Sequence, residues 1–271
     1  MHFKKTIGHQ KQKEIFRHLA ENQNLAHAYV LAGPENIGKT TFVLDLAEGI
    51  GVNPILDLFV FDSENGLSIE EARTLQVRLT RTAVASPCKV AVVTYAEKMT
   101  SEAASALLKI LEEPPRDSII FLTTPNFYSL LPTVASRLQR INFGLLSRAE
   151  VAEGLKEFNL EPQRLSEIID FSGGRVGLGR RMASSEEMYN FMKMAADCYQ
   201  TLEGGTLVFR LKTADKLASM DVLDIEKFLG FAMRKWVGGE GKLQLAEKLQ
   251  QTYSDLRFNL NPKLLMTNLF I

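Results

Sequence analysis

The chain has 271 residues, enough for two or three domains with a sizeable core, and its hydrophobic (45%) and charged (24%) fractions are those of a globular protein. Lys plus Arg and Asp plus Glu stand at 32 each, which excludes a global field drawing the chain to nucleic acid or to an anionic membrane. Cys88 and Cys198 lie far apart and offer neither a disulfide framework nor a metal quartet, as in a reducing compartment. The residues after Met1-His2-Phe3-Lys4-Lys5 are polar, not an apolar leader, and no run reaches membrane-span length. The expectation is a soluble cytoplasmic protein with no membrane partner.

Residues 10–22 carry Ile15, Phe16 and Leu19 among Lys, Gln and Glu, the pattern of an amphipathic helix. Ala28-Tyr29-Val30-Leu31-Ala32 is a buried-strand run, and Gly33-Pro34-Glu35-Asn36-Ile37-Gly38-Lys39-Thr40-Thr41 follows it. This spacing reads as a phosphate loop. Glycines at both ends let successive N–H groups point inward, Lys39 can reach a terminal phosphate, and Thr40 can ligate Mg²⁺. Val43, Leu46, Ala47 and Ile50 then fall at helical spacing, so a helix N-terminus adds its dipole to the loop. The candidate nucleotide-binding residues are Gly33, Asn36, Gly38, Lys39, Thr40 and Thr41; the plainer alternative is a Gly-Pro turn that happens to precede Lys-Thr.

Residues 55–62 form a second strand, and Ser68 with Glu71 is a capping box opening a helix that buries Ile69, Ala72, Leu75 and Leu79. Lys89–Thr94 is a strand apolar on both faces. A helix over 100–113 is stopped by Pro114-Pro115; residues 118–124 make a fourth strand, a short helix covers 130–136, and residues 140–143 make a fifth strand. Strand and helix alternate throughout, which predicts a parallel sheet with helices on both faces.

Near residue 145 the strands stop. Ser147 with Glu150 is a second capping box, for a helix reaching about 158; further helices cover 162–171, start near 176, and run over 185–202. Gly204-Gly205 reads as a boundary, and 206–271 as three or four helices with a break at Gly238-Gly239 and a last piece after Pro262. The expected domains are 1–145, 146–204 and 205–271.

Lys89-Val90-Ala91-Val92-Val93, Ala96-Glu97-Lys98-Met99 and the tract from Ala103 to Glu112-Glu113-Pro114-Pro115 together resemble the core of bacterial clamp-loader AAA+ subunits. Gly8, His27-Ala28-Tyr29, Ser136-Arg137 and Asn261-Pro262-Lys263-Leu264 add to the resemblance, which is strong to residue 145, moderate to 205 and weak beyond. It implies an α/β AAA+ P-loop module with a parallel five-stranded sheet, then a small helical lid domain and an all-helical C-terminal collar.

The resemblance also implies roles. Family ATPases end the third strand with an Asp that holds the Mg²⁺ water shell and a Glu that orients the attacking water; Thr94 and Tyr95 occupy those positions here. An uncharged Thr is a poor metal anchor, and Tyr is no base at neutral pH. Glu97 and Asp62 are acidic substitutes, each readable as a solvated loop carboxylate. In Gly174-Arg175-Val176-Gly177 a glycine stands where the family has a sensor arginine; Arg175, Arg180 and Arg181 are nearby, or form a basic helix face. Ser136-Arg137-Leu138 matches the family's Ser-Arg-Cys, whose arginine acts on a neighbour's ATP, so Arg137 is the candidate trans-acting finger. Gly49–Pro54 bridges, without cysteine, the place of the family's zinc module, so no zinc and no metal site of that kind is expected.

The implied function is a non-hydrolysing stator in a DNA polymerase III clamp loader, in a hetero-oligomeric ring with motor subunits and the delta subunit. ATP or ADP with Mg would be the cofactor, and the sliding clamp and primer-template DNA would be reached indirectly. Alternatives are an active ATPase motor subunit and a nucleotide-free scaffold.

Overall fold

The computed structural model describes residues 2–236, 243–258 and 260–271; the break expected at Gly238-Gly239 lies outside the described residues. The chain divides into two units, one of residues 1–160 and 174–180, the other of residues 161–173 and 181–271.

In the first unit the apolar runs form five strands among the described residues: β1 (Ala28–Ala32), β2 (Leu58–Phe61), β3 (Lys89–Val93), β4 (Ser118–Thr124) and β5 (Gln139–Asn142). All pair in parallel in the order β2-β3-β4-β1-β5, with Ala28 opposite Ile120, Ala91 opposite Ile120, Phe59 opposite Ala91 and Tyr29 opposite Gln139. The parallel five-stranded sheet flanked by helices is thus present.

Alternation along the strands makes two cores. On one face Ala28, Val30, Ala91, Val93, Ile120 and Leu122 pack with Leu75 and Leu79 of α3 (Ile69–Thr80), Leu107 and Leu111 of α4 (Ser101–Glu112) and Val134 of α5 (Pro132–Ala135). On the other, Tyr29, Leu31, Val90, Val92 and Phe121 pack with Phe16 of α1 (Gln10–Glu21) and with Phe42, Val43 and Leu46 of α2 (Lys39–Gly49). Tyr29 stacks on Phe121 at 5.3 Å and Phe42 meets Phe143 edge-on at 5.1 Å, so rigid rings hold the root of the loop between β1 and α2. Burying each such ring is worth about 1.5–3 kcal/mol.

The Ser68–Glu71 and Ser147–Glu150 capping boxes form reciprocally, the second opening α6 (Arg148–Leu155). The second strand is shorter than its sequence pattern. Asn53 Oδ1 accepts from the N–H groups of Ile55 and Leu56 at 2.9 and 3.1 Å, which turns these residues out of the ladder and leaves Ile55 85% exposed.

The second unit contains α7 (Pro162–Ser172), the end of α8 (Val176–Ser184), α9 (Glu186–Gly204), α10 (Leu207–Ala218), α11 (Val222–Trp236), α12 (Leu243–Arg257) and α13 (Pro262–Phe270). Here α9 packs on α7, α10 and α11, and α13 on α10 and α12. Phe228 stacks on Phe270, and Phe231 meets Phe171 and Tyr199 edge-on. The C-terminal part is therefore all-helical among the described residues.

Candidate functional site

The carboxyl ends of the strands in an open α/β sheet are where ligands bind, and a cleft of 270 Å³ opens there in the first unit. It is lined by the loop and start of α2 (Glu35, Asn36, Gly38, Lys39, Thr40, Thr41), by Asp62 after β2, Thr94 and Tyr95 after β3, and Thr123, Thr124 and Pro125 at the end of β4. Gly177 of α8 completes it. The volume lies just below the range of about 300–1,000 Å³ usual for small-molecule sites and suits the phosphate end of a nucleotide.

The loop is held from below. The Gly33 N–H donates to the Thr124 carbonyl at 3.1 Å, and a Cβ on Gly33 would stand 2.2 Å from the Phe143 carbonyl oxygen, so only glycine fits as the chain leaves β1. Ile37 is buried, and its carbonyl bonds the His9 ring at 2.9 Å. Burial pushes the His9 imidazole down from its ordinary value.

Lys39 is 8% exposed, and its Nζ donates to the carbonyls of Gly33 and Pro34 at 2.6 and 2.7 Å. Burial lowers this ammonium to about 8, against the pull of Glu35 and Glu97. The lysine therefore sits in the arc of its own loop. Gly177 approaches the same loop from outside: its N–H donates to the Asn36 carbonyl at 2.7 Å, and a Cβ there would meet that oxygen at 2.9 Å.

At the end of β3, the buried Thr94 hydroxyl donates to Asp62 Oδ1 at 2.6 Å. Tyr95 adopts a left-handed φ of 49°, uncommon for a non-glycine residue, and carries the Lys98 ammonium over its ring at 4.8 Å. Glu97 has one carboxylate oxygen, Oε2, buried without a hydrogen-bond partner. Among the described residues no group of three or more His, Cys, Asp and Glu is arranged to hold a metal ion. The donor set that is present, an ammonium, hydroxyls at a helix start and the carboxylates of Glu35 and Asp62, is of the kind that takes Mg²⁺ together with phosphates, since this ion relies on substrate oxygens more than on a protein cage.

The other singled-out arginines part company. Arg175 is half-buried, its guanidinium lowered by burial against the opposing charge of Glu35. Arg180 bonds the Gly154 carbonyl and Glu157, and Arg181 belongs to the second unit. Arg137 is not among the residues lining the cleft; it follows α5 on the surface, with Nη2 on Glu112 Oε1 and Nη1 on the Thr133 carbonyl.

Sequence reasoning missed Thr123 and Thr124. Their signal was two hydroxyls closing an otherwise apolar strand, at the end where the sheet places ligands. Nothing local in the sequence ties Asp62 to Thr94.

A family model described as "DNA polymerase III, delta subunit" matches residues 51–147. The chain is 32% identical over 165 residues to DNA polymerase III subunit delta' of Bacillus subtilis, covering 52% of this chain and 49% of that protein. It is 24% identical over 217 residues to the gamma/tau subunit of Mycoplasma genitalium, covering 70% of this chain and 36% of that one. The chain thus spans about half the length, or less, of these relatives. A solved structure of a DNA polymerase III gamma subunit-related protein from Thermotoga maritima shares the fold, with a TM-score of 0.60 at 21% identity, covering 94% of this chain and 97% of that one.

The sheet order, the loop and the helical C-terminal part give the chain the fold of that protein, a P-loop α/β module followed by helices. Over the matched residues the chain is similar to the DNA polymerase III delta-prime and gamma/tau subunits.

Proposed function

We propose that the chain is a delta-prime-type subunit of a bacterial DNA polymerase III clamp loader that does not hydrolyse ATP itself. The observation that carries the reading is the end of β3: Thr94 spends its hydroxyl on Asp62, and Tyr95 stands where a water-orienting carboxylate is needed. The chain then acts as a stator in a ring with motor subunits and the delta subunit. It presents Arg137 to a neighbour's ATP and supports loading of the sliding clamp onto primer-template DNA without itself being a motor. Its loop, with Gly33, Asn36, Gly38, Lys39, Thr40 and Thr41, takes ATP or ADP with Mg²⁺. The working domains are a nucleotide-binding core (1–145), a lid (146–204) and a collar (205–271).

Exposed apolar residues in the second unit support an assembling role: Leu207, Val208 and Phe209 at the start of α10, with Phe209 63% exposed, and Leu264 on α13. Among the described residues no helix is long and apolar enough to cross a membrane, in keeping with a cytoplasmic replication protein.

A second reading, the nucleotide-free scaffold, is favoured by Lys39, whose donors already bond the Gly33 and Pro34 carbonyls. Nucleotide-binding and turnover assays on the purified chain separate these readings. The stator reading expects nucleotide binding with negligible ATP turnover, the scaffold expects neither, and turnover abolished by Lys39→Ala would make the chain a motor.

A further inference from the structure

The third strand ends without a carboxylate, but the cleft does not lack one. Phe61 pairs with Val93 in the parallel ladder, so the residues that follow, Asp62 and Thr94, leave the sheet side by side. The Thr94 N–H donates to the Phe61 carbonyl at 3.0 Å, and its hydroxyl donates to Asp62 Oδ1 at 2.6 Å. Thr94 is buried and cannot swing away, so a fixed hydroxyl orients a carboxylate that lines the same cleft as Lys39 and Thr40.

We propose that Asp62, positioned by Thr94, is the metal-anchoring carboxylate of this cleft, holding the hydrated Mg²⁺ that accompanies the phosphates of a bound nucleoside di- or triphosphate. The inference rests on the nucleotide-binding reading above. It assigns the anchor to the end of β2, one strand away from where the family resemblance puts it.

Three features carry it. The first is charge: of the two strand-end residues in register, only Asp62 has any, and a neutral threonine could not hold a dication's water shell. The second is orientation, since Asp62 Oδ1 accepts a short, charge-assisted hydrogen bond that fixes its plane. The third is the unsatisfied oxygen nearby. Glu97 Oε2 is buried with no hydrogen-bond partner, at a cost of about 1–3 kcal/mol. The Glu97 charge also acts on Lys39, so this oxygen belongs to the same electrostatic neighbourhood. Holding a metal is not hydrolysis: Tyr95 supplies no base, so the arrangement retains a nucleotide without turning it over.

The test is a fluorescence titration of the full chain with a methylanthraniloyl analogue of ADP, in Mg²⁺ and in EDTA, with Mn²⁺ replacing Mg²⁺ for electron paramagnetic resonance. In the wild type, Mg²⁺ tightens binding; Asp62→Asn removes about 10–100-fold of that gain, does not weaken binding in EDTA, where the carboxylate only repels the phosphates, and releases the protein-bound Mn²⁺ signal. Adding Thr94→Asp to Asp62→Asn restores the metal dependence by returning a carboxylate to β3. Full metal dependence in Asp62→Asn, or binding indifferent to Mg²⁺ in the wild type, overturns the assignment of Asp62 while the nucleotide reading stands. No binding with or without metal, under conditions where circular dichroism shows folded protein, overturns both.

Discussion

Arg137 Nη2 lies 2.7 Å from Glu112 Oε1, while Nη1 donates to the Thr133 carbonyl at 2.9 Å and to the Ser136 hydroxyl at 3.2 Å. An arginine proposed to act on another subunit's nucleotide is thus held at its own surface by the last turn of α4 and by α5. Both members of the pair are solvent-accessible, so the ion pair itself is worth only about 0–1 kcal/mol to folding. Its consequence is one of position. In a reconstituted ring, Arg137→Ala lowers turnover at the site it serves by at least ~10³-fold. Glu112→Ala, which leaves the guanidinium in place but loosens its support, gives a smaller loss confined to kcat, with KM for ATP unchanged. Steady-state ATPase assays of the complex measure both, and unchanged turnover with Arg137→Ala would remove this residue from the mechanism.

Asp57 is 1% exposed and accepts from the Val84 and Ala85 N–H groups at 2.8 and 2.9 Å. Burial alone would raise its carboxyl, but these two bonds, the Ser86 hydroxyl and the Lys89 ammonium outweigh it and hold the group below its ordinary value. A depressed carboxyl stabilises the fold at every pH above its unfolded value, and that contribution disappears as pH falls through the lower folded value. Urea denaturation at neutral pH should show Asp57→Ala destabilised by about 2–5 kcal/mol, because two buried N–H donors lose their acceptor and Lys89 loses a nearby opposite charge. Below pH 4 the difference between the variant and the wild type should shrink.

Local chemistry was legible where the interacting residues are neighbours in the chain. Ser68 with Glu71 and Ser147 with Glu150 announce their helices because both halves of each box lie within one turn. The strands of the sheet are legible for a similar reason: residues buried on both faces read as unbroken apolar runs. The cleft was legible only in part. The Asp62–Thr94 bond joins residues 32 positions apart, and only the β2–β3 register brings them together. Thr123 and Thr124 look like ordinary strand residues until β4 is known to lie beside β1 in the middle of the sheet. Gly177 was noticed for the arginine it replaces, whereas its contact with Asn36 is set by the packing of α8.

That contact is itself testable. Adding one methyl at Gly177 places carbon 2.9 Å from the Asn36 carbonyl oxygen, closer than real side chains approach. Gly177→Ala should cost about 1–3 kcal/mol through displacement of the loop or of α8, as overpacking does elsewhere. Amide hydrogen exchange should then show faster exchange at the Gly177 N–H and along the Gly33–Gly38 loop. Unchanged stability and unchanged loop protection would mean that the Gly177–Asn36 contact contributes nothing to holding the loop.

Lys39 gives the cleft a pH dependence whose direction is fixed by its burial. Burial disfavours the charge on this ammonium and lowers it to about 8, below the ordinary lysine value. Below that pH the charged lysine is present at a desolvation cost; above it the lysine is neutral and the cost is relieved. Stability of the chain in nucleotide-free buffer should therefore rise between pH 8 and 10, the reverse of a group that gains a partner on folding. Phosphate binding runs the other way. A polyphosphate favours the ammonium, so binding above pH 8 must take up a proton, and affinity should fall as pH rises from 7 to 9. Calorimetric titrations with ADP in buffers of different ionisation enthalpy would measure that uptake, expected to approach one proton near pH 9 and to vanish in Lys39→Ala. An affinity flat across this range would show that Lys39 stays on the Gly33 and Pro34 carbonyls and does not move to the phosphates.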